Sequence, residues 1–299
     1  MPKMVTIIGF NRFYDKKELF FVPLQHYKSY KMAKKVLFIN QEITPYVPET
    51  EMSILGRDLP QKTQEAGFEI RTFMPKWGTI NERRGQLHEV IRLSGMNLII
   101  DETDHPLIIK VASIPTSRLQ IYFIDNDDYF QKRQMSANES GDDYADNGER
   151  AIFYARGVLE TVKKLRWTPD IIVCQGWISA VVPFYIKKAF NEEPSFANAK
   201  VITSFHENQL KSDLGEDFTK LVDFKEAQSS LLEGYAKPFD FMELGKLAID
   251  YSDGIIEAGK DVNPELLAYA KEKNIPVMSN PGDDYAQSYA DFFNKIAGE

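Results

Sequence analysis

The sequence predicts an α/β fold, a doubly wound and mainly parallel sheet that carries an antiparallel strand insertion. Three observations predict it. Short β-rich runs alternate with segments of helical period along most of the chain. Four such runs follow one another between residues 89 and 125 with no helical segment among them, the pattern of antiparallel hairpins. The chain has 299 residues, of which 43% are apolar and 27% charged, enough to bury a core without disulfide or metal staples.

In chain order the β-rich runs fall at 36–40, 68–74, 89–93, 96–101, 107–113, 119–125, 171–174, 201–205, 254–257 and 276–278. The first helix is centred on Leu55, Leu59 and Thr63. The next covers 149–165, where Ile152, Phe153, Val158, Leu159, Val162 and Leu165 fall near one stripe. Further helices are expected over 178–190, 242–251, 264–273 and 285–296, the third of these opened by Pro264 at its first position. Residues 211–237 are polar, with helical charge spacing and no strand, and read as a helical or loop insertion. No internal repeat or low-complexity linker is visible. Residues 1–31 hold six basic and two acidic side chains but no continuous apolar segment or cleavage site. They read as a poorly ordered extension or an upstream start, the alternative being an edge element built on residues 4–10. Met32 opens a strand-like segment, so 32–299 is expected to form a single domain.

Composition excludes several function classes. Thirty-six basic against 44 acidic residues give a net charge of −8, and the isoelectric point is about 5.2. Phosphate affinity rests on clustered Lys and Arg, so no nucleic-acid partner is expected. No apolar run approaches the roughly 18 residues of a membrane span, so no membrane partner is expected and a cytoplasmic address is. Cys174 is the one cysteine, which excludes an intramolecular disulfide and fits a reducing compartment. His26, His88, His105 and His206 lack metal-ligand spacing. No metal and no cofactor are expected.

Two motifs fail on inspection. Gly254-Ile-Ile-Glu-Ala-Gly-Lys-Asp261 approaches a phosphate loop, but Asp261 stands where a hydroxyl belongs and the first glycine precedes the β run when it should follow one. Glu257 and Glu265 have a spacing some glycosyltransferases use, yet Asp261-Val-Asn-Pro264 before Glu265 is more simply a helix start.

Several segments, read in order, carry a resemblance. Lys35-Val-Leu-Phe-Ile-Asn-Gln-Glu42, then Thr44-Pro45-Tyr46-Val47 and Leu59-Pro60, open it. Ile121-Tyr-Phe-Ile-Asp-Asn126 with Tyr129-Phe130, and Tyr144-Ala-Asp-Asn147 with Glu149-Arg150, continue it. Trp167-Thr-Pro-Asp-Ile-Ile-Val-Cys-Gln-Gly-Trp177, Val181-Val-Pro-Phe-Tyr185, Thr203-Ser-Phe-His206 and Lys246-Leu-Ala-Ile-Asp-Tyr-Ser-Asp253 complete it. From Lys34 to about Ala270 the chain resembles the amino-terminal domain of bacterial glycogen and plant starch synthases. That resemblance implies a Rossmann-like fold, the N-terminal half of a two-domain glycosyltransferase-B architecture. It also implies a role in α-1,4-glucan metabolism, with transfer of glucose from ADP-glucose to a glucan acceptor with retention.

Departures from the family pattern bear on activity. The family's K-T-G-G loop, which contacts the nucleotide-sugar, falls on Pro48-Glu49-Thr50-Glu51. Pro48 removes an N–H donor, and Glu49 and Glu51 bring negative charge towards a diphosphate. At about 5 Å and an effective dielectric near 20, each repulsion is roughly 3 kcal/mol, about a hundredfold in binding. In the family's H-D-W-H segment, Gln175, Gly176 and Ile178 replace the histidines and the aspartate, leaving Trp177. After Lys273 one strand and one helix remain, too short for the family's second domain, and the last helix is expected to pack back on the first.

The resemblance implies catalytic roles on the acceptor side for Asp146 and His206, and substrate contacts for Glu42, Asn147, Trp177 and Lys246. Each has a plain structural alternative: a helix N-cap for Asp146 and Asn147, a core filler for Trp177, a hydrogen-bonded strand-end residue for His206, a loop cap for Glu42 and a solvated helix residue for Lys246. Expected partners are an α-glucan acceptor, ADP-glucose, and a separate chain supplying the missing domain. The expected function is that of a glycogen/starch synthase-like protein impaired in catalysis when alone. The alternatives are a non-catalytic glucan-binding or regulatory module, or an α/β binder of some other small ligand.

Overall fold

The computed structural model describes residues 33–207, 210–282 and 285–298. The expectation for residues 1–31 lies outside these. The chain runs β1 (Lys35–Asn40), α1 (Glu51–Glu65), β2 (Glu69–Pro75), the short helix α2 (Glu82–Gly85), β3 (His88–Glu89), β4 (Met96–Ile100), β5 (Thr103–Ile114) and β6 (Leu119–Asp125). Then come α3 (Asn147–Lys164), β7 (Ile171–Gln175), a 3-10 turn (Trp177–Ser179), α4 (Val182–Lys188), β8 (Lys200–Phe205), α5 (Phe218–Leu221) and a second 3-10 turn (Ser229–Leu232). The elements α6 (Phe241–Asp250), β9 (Gly254–Glu257), α7 (Pro264–Glu272), β10 (Val277–Met278) and α8 (Tyr285–Ile296) complete it.

The sheet order is β10-β9-β8-β7-β1-β2-β6-β5-β3, with β4 paired to β5 beside it. Pairing is parallel from β10 to β6. It is antiparallel where β5 meets β6, β3 and β4, so the inserted strands behave as the sequence predicts. Helices cover both faces, which is why the central strands read as unbroken apolar runs: all five residues of β7 are buried. Along β1, Val36 and Phe38 face Leu59 of α1 and Tyr289, Phe292 and Phe293 of α8. Leu37 and Ile39 face the larger cluster built on α3, α4 and α6. The last helix thus packs back on the domain, and Gly254 lets it do so, since a methyl there would sit 2.9 Å from the Ile296 side chain. That glycine opens β9 and forms no phosphate cradle.

Local chemistry sets the helix that bears most on the crevice. In α1, Thr50 caps the first turn by accepting from Ser53 N at 2.9 Å, and Ser53 Oγ accepts from Thr50 N at 2.8 Å. Pro60 lies inside this helix and has no N–H for the carbonyl of Gly56. Asn40, buried at the end of β1, donates Nδ2 to that carbonyl at 3.1 Å. The predicted strand over 89–93 is corrected: pairing ends at Glu89, and Leu93 N and Ser94 N both bond back to Val90 O as a turn. Gly95, at φ +82°, follows directly. Residues 211–237 form an irregular insertion, holding α5 and the second 3-10 turn and anchored by buried Phe218 and Leu232.

Candidate functional site

The chain leaves β1 towards β2 and later returns to β7 on the other side, so the crevice beyond the ends of β1 and β7 lies at the reversal of strand order, where open sheets bind ligands. Gln41 N continues the ladder there, donating to Gln175 O at 3.1 Å. Gly176 follows at φ +84° and ψ 166°, a conformation open essentially to glycine alone, and a methyl would collide with the Gln41 side chain. This sharp exit turns the chain into the 3-10 turn and carries the Trp177 side chain inward.

Met52 of α1, Trp177, Phe205 and His206 after β8, and Phe241 and Leu244 of α6 enclose a cavity of about 20 Å³. That is room for about one water molecule, so a hexose enters only if these walls part. Trp177 is 2% exposed and presents no ring face to solvent. Trp177 Nε1, Gln175 Oε1 and both ring nitrogens of His206 are buried with no hydrogen-bond partner among the described residues. Burial pushes the His206 pKa down to about 4, partly opposed by the charge of Glu51, so the imidazole is neutral near pH 7. The cavity therefore offers a neutral donor–acceptor ring, an indole donor and apolar walls. Among the described residues Glu207 is the one charged side chain lining it, and no Lys or Arg does.

Of the six residues singled out in the sequence, Trp177 and His206 share this cavity. Glu42 is 2% exposed and tied down, accepting from Gln41 Nε2 at 2.9 Å and from Thr50 Oγ1 at 2.7 Å. Asp146, Asn147 and Lys246 do not line the cavity. Asp146 occupies the N-cap position of α3, yet its side chain makes no capping bond and is paired with Arg133. Asn147 is buried, donating to Ser136 O at 2.8 Å and accepting from Arg150 at 2.8 Å. Lys246 donates to Glu243, one turn back on α6, at 2.6 Å, which raises its pKa.

Arg150 plays a part the sequence did not single out. It is fully buried, and it donates to the carbonyls of Tyr129, Gln134 and Met135 at 2.6–3.0 Å. Its guanidinium also lies over the Trp77 ring at 5.2 Å, and Trp77 Nε1 donates to Gln41 O at 2.8 Å. The segment from Tyr144 to Arg150 thus fastens the loop after β6 to the crevice. The signal was its place in the quoted motif; the partners are fifteen or more residues away and leave no local trace.

Residues 35–273 match the family model described as the starch synthase catalytic domain. The chain belongs to that family. It is 36% identical to the glycogen synthase of Chlorobium luteolum over 173 residues, covering 58% of this chain and 35% of that protein. It is 31% identical to the glycogen synthase of Chlorobaculum parvum over 220 residues, covering 73% and 44%. The chain thus spans less than half the length of these relatives. The solved catalytic domain of starch synthase IV from Arabidopsis thaliana, bound to ADP and acarbose, superposes with a TM-score of 0.66 at 14% identity, over 83% of this chain and 51% of that one. At that identity the likeness concerns fold, and it bears out the α/β architecture. In this member of the starch synthase family no helix of the described residues is long and apolar enough to cross a membrane.

Proposed function

We propose that this chain acts in α-1,4-glucan metabolism as a glucan-binding lobe that does not by itself transfer glucose from ADP-glucose. The start of α1 carries this reading. A helix N-terminus that receives phosphate needs unsatisfied N–H groups and a positive field. Here the Thr50 and Ser53 N–H groups are satisfied by each other's side chains, and Glu51 in the first turn, paired with Lys260 at 2.8 Å, already answers the helix dipole. Thr50 is further tied to Glu42, so the loop is not free to rearrange around an anion.

The charge balance of the cavity supports the same reading. Glucosyl transfer releases a nucleoside diphosphate, whose developing charge needs cations or aligned donors. Among the described residues the cavity is lined by Glu207 and by no Lys or Arg, and His206 carries no charge near neutral pH. Neutral groups of this kind suit sugar hydroxyls. Trp177 and His206 are the residues proposed to meet a glucan terminus once the walls part, with Glu42 holding the loop beside them. Asp146, Asn147 and Lys246 remain proposed contacts of a longer glucan lying outside the cavity.

Titration calorimetry with maltoheptaose and with ADP-glucose, side by side on the full chain, tests the reading. Maltoheptaose binding that weakens in Trp177→Phe, with no ADP-glucose binding, is the expected result. Incorporation of labelled glucose into glycogen by the purified chain alone sinks it. Incorporation that appears only after a separate cell fraction is added assigns the donor half to another chain, the partner this reading allows.

A further inference from the structure

At the opposite end of the sheet from the crevice, the starts of β2 and β6 and the end of α1 enclose a second cavity of about 100 Å³. Its polar lining is Arg71, Arg118, Gln64, Gln120 and Tyr122, with no carboxylate among the described residues of its walls. At about 10–15 Å³ per water it has room for a small tetrahedral ion and its hydration.

We infer that this cavity is a binding site for a phosphate-class oxyanion, held by Arg71 and Arg118. Arg71 is held in place by its neighbours: its guanidinium donates to Tyr122 Oη at 2.6 Å and lies 5.3 Å from the Trp167 ring. Its Nε–H is buried and meets no acceptor among the described residues. An oxyanion is the acceptor that suits the planar fork of a guanidinium. Glu69, two residues back on the same strand, accepts from Trp167 Nε1 at 2.5 Å and forms no ion pair with Arg71. Arg118 stands in the β5–β6 turn at φ +55° and brings a second guanidinium to the same cavity. The amides of Gln64 and Gln120 can donate to remaining oxygens or to hydroxyls of an attached group. In a chain of net charge −8 such a paired cationic cavity is not a general property of the surface. The inference is independent of the glucan-binding proposal, since the two sites share no residue.

The test is calorimetric titration of the full chain with inorganic phosphate at constant ionic strength, with glycerol 3-phosphate and acetate as parallel arms. Saturable one-site phosphate binding is expected, weakened about tenfold or more in Arg118→Gln, a change on an exposed turn. Gln120→Glu, which places a carboxylate at the cavity, is expected to remove saturable binding. Arg71→Gln is read only where its thermal transition matches the parent, because Arg71 also packs on Trp167. Tighter binding of glycerol 3-phosphate than of phosphate marks an organic ester as the occupant; the reverse marks the free ion. Absence of saturable binding, binding untouched by Arg118→Gln and Gln120→Glu, or acetate binding as tightly as phosphate overturns the assignment.

Discussion

Thr50 donates its hydroxyl to the Glu42 carboxylate at 2.7 Å while the same oxygen accepts the Ser53 backbone N–H at 2.9 Å. One hydroxyl therefore holds the start of α1 and the loop after β1 together. Removing it in Thr50→Ala loses a cap and one bond to a buried carboxylate, at a cost of about 2–4 kcal/mol. Urea unfolding of Thr50→Ala and Thr50→Ser is the check, with serine expected to recover most of the loss. Equal behaviour of the two variants would count against the link.

The buried imidazole gives stability a pH dependence of known sign. The folded pKa of His206, about 4, lies below the ordinary value of 6.5, so the unfolded chain takes up the proton more readily. The contribution is fully present above about pH 6.5 and is lost as pH falls towards 4, for a total of about 3 kcal/mol. The stability difference between the parent and His206→Gln is expected to narrow by that amount between pH 7.5 and 4. A titration near pH 6.5 of the imidazole resonance that disappears in His206→Gln would refute the assignment.

Gly176→Ala is expected to destabilise by about 2–4 kcal/mol, because it combines a backbone conformation that alanine avoids with a collision against Gln41. Gly234→Ala is the control, since a methyl at Gly234 meets nothing within 4 Å. Comparable melting temperatures for the two variants would show that the strain is absorbed elsewhere.

Arg150→Met leaves three loop carbonyls without their donor, and at about 1–3 kcal/mol for each buried group the total approaches the whole stability of a domain. Limited proteolysis is expected to open first between Asp127 and Asp146, the loop that Arg150 fastens. A digestion pattern unchanged from the parent would remove Arg150 from that role.

Most of the architecture was legible in the sequence because burial on both faces leaves long apolar runs, as in β1 and β7, and the helices between them keep their stripes. The segment over 89–93 misled because Val90, Ile91 and Leu93 have strand propensity, whereas Gly95 and the bonds back to Val90 O make a turn with Ile91 83% exposed. Trp177 and His206 were singled out by the motif resemblance together with their places after β7 and β8. Lys246 was read from the motif, while its partner Glu243, three residues earlier, was visible in the spacing. The Arg150 contacts were not legible, since they join segments that only folding brings together.

Helix α8 has a consequence for the order of events during synthesis. It supplies Tyr289, Phe292 and Phe293 to the face of the sheet that β1 begins, so strands made early wait for side chains translated some two hundred and fifty residues later. Until the ribosome delivers them, α1 covers Val36 and Phe38 only in part on that side, a sticky intermediate of the sort that holdase chaperones shield.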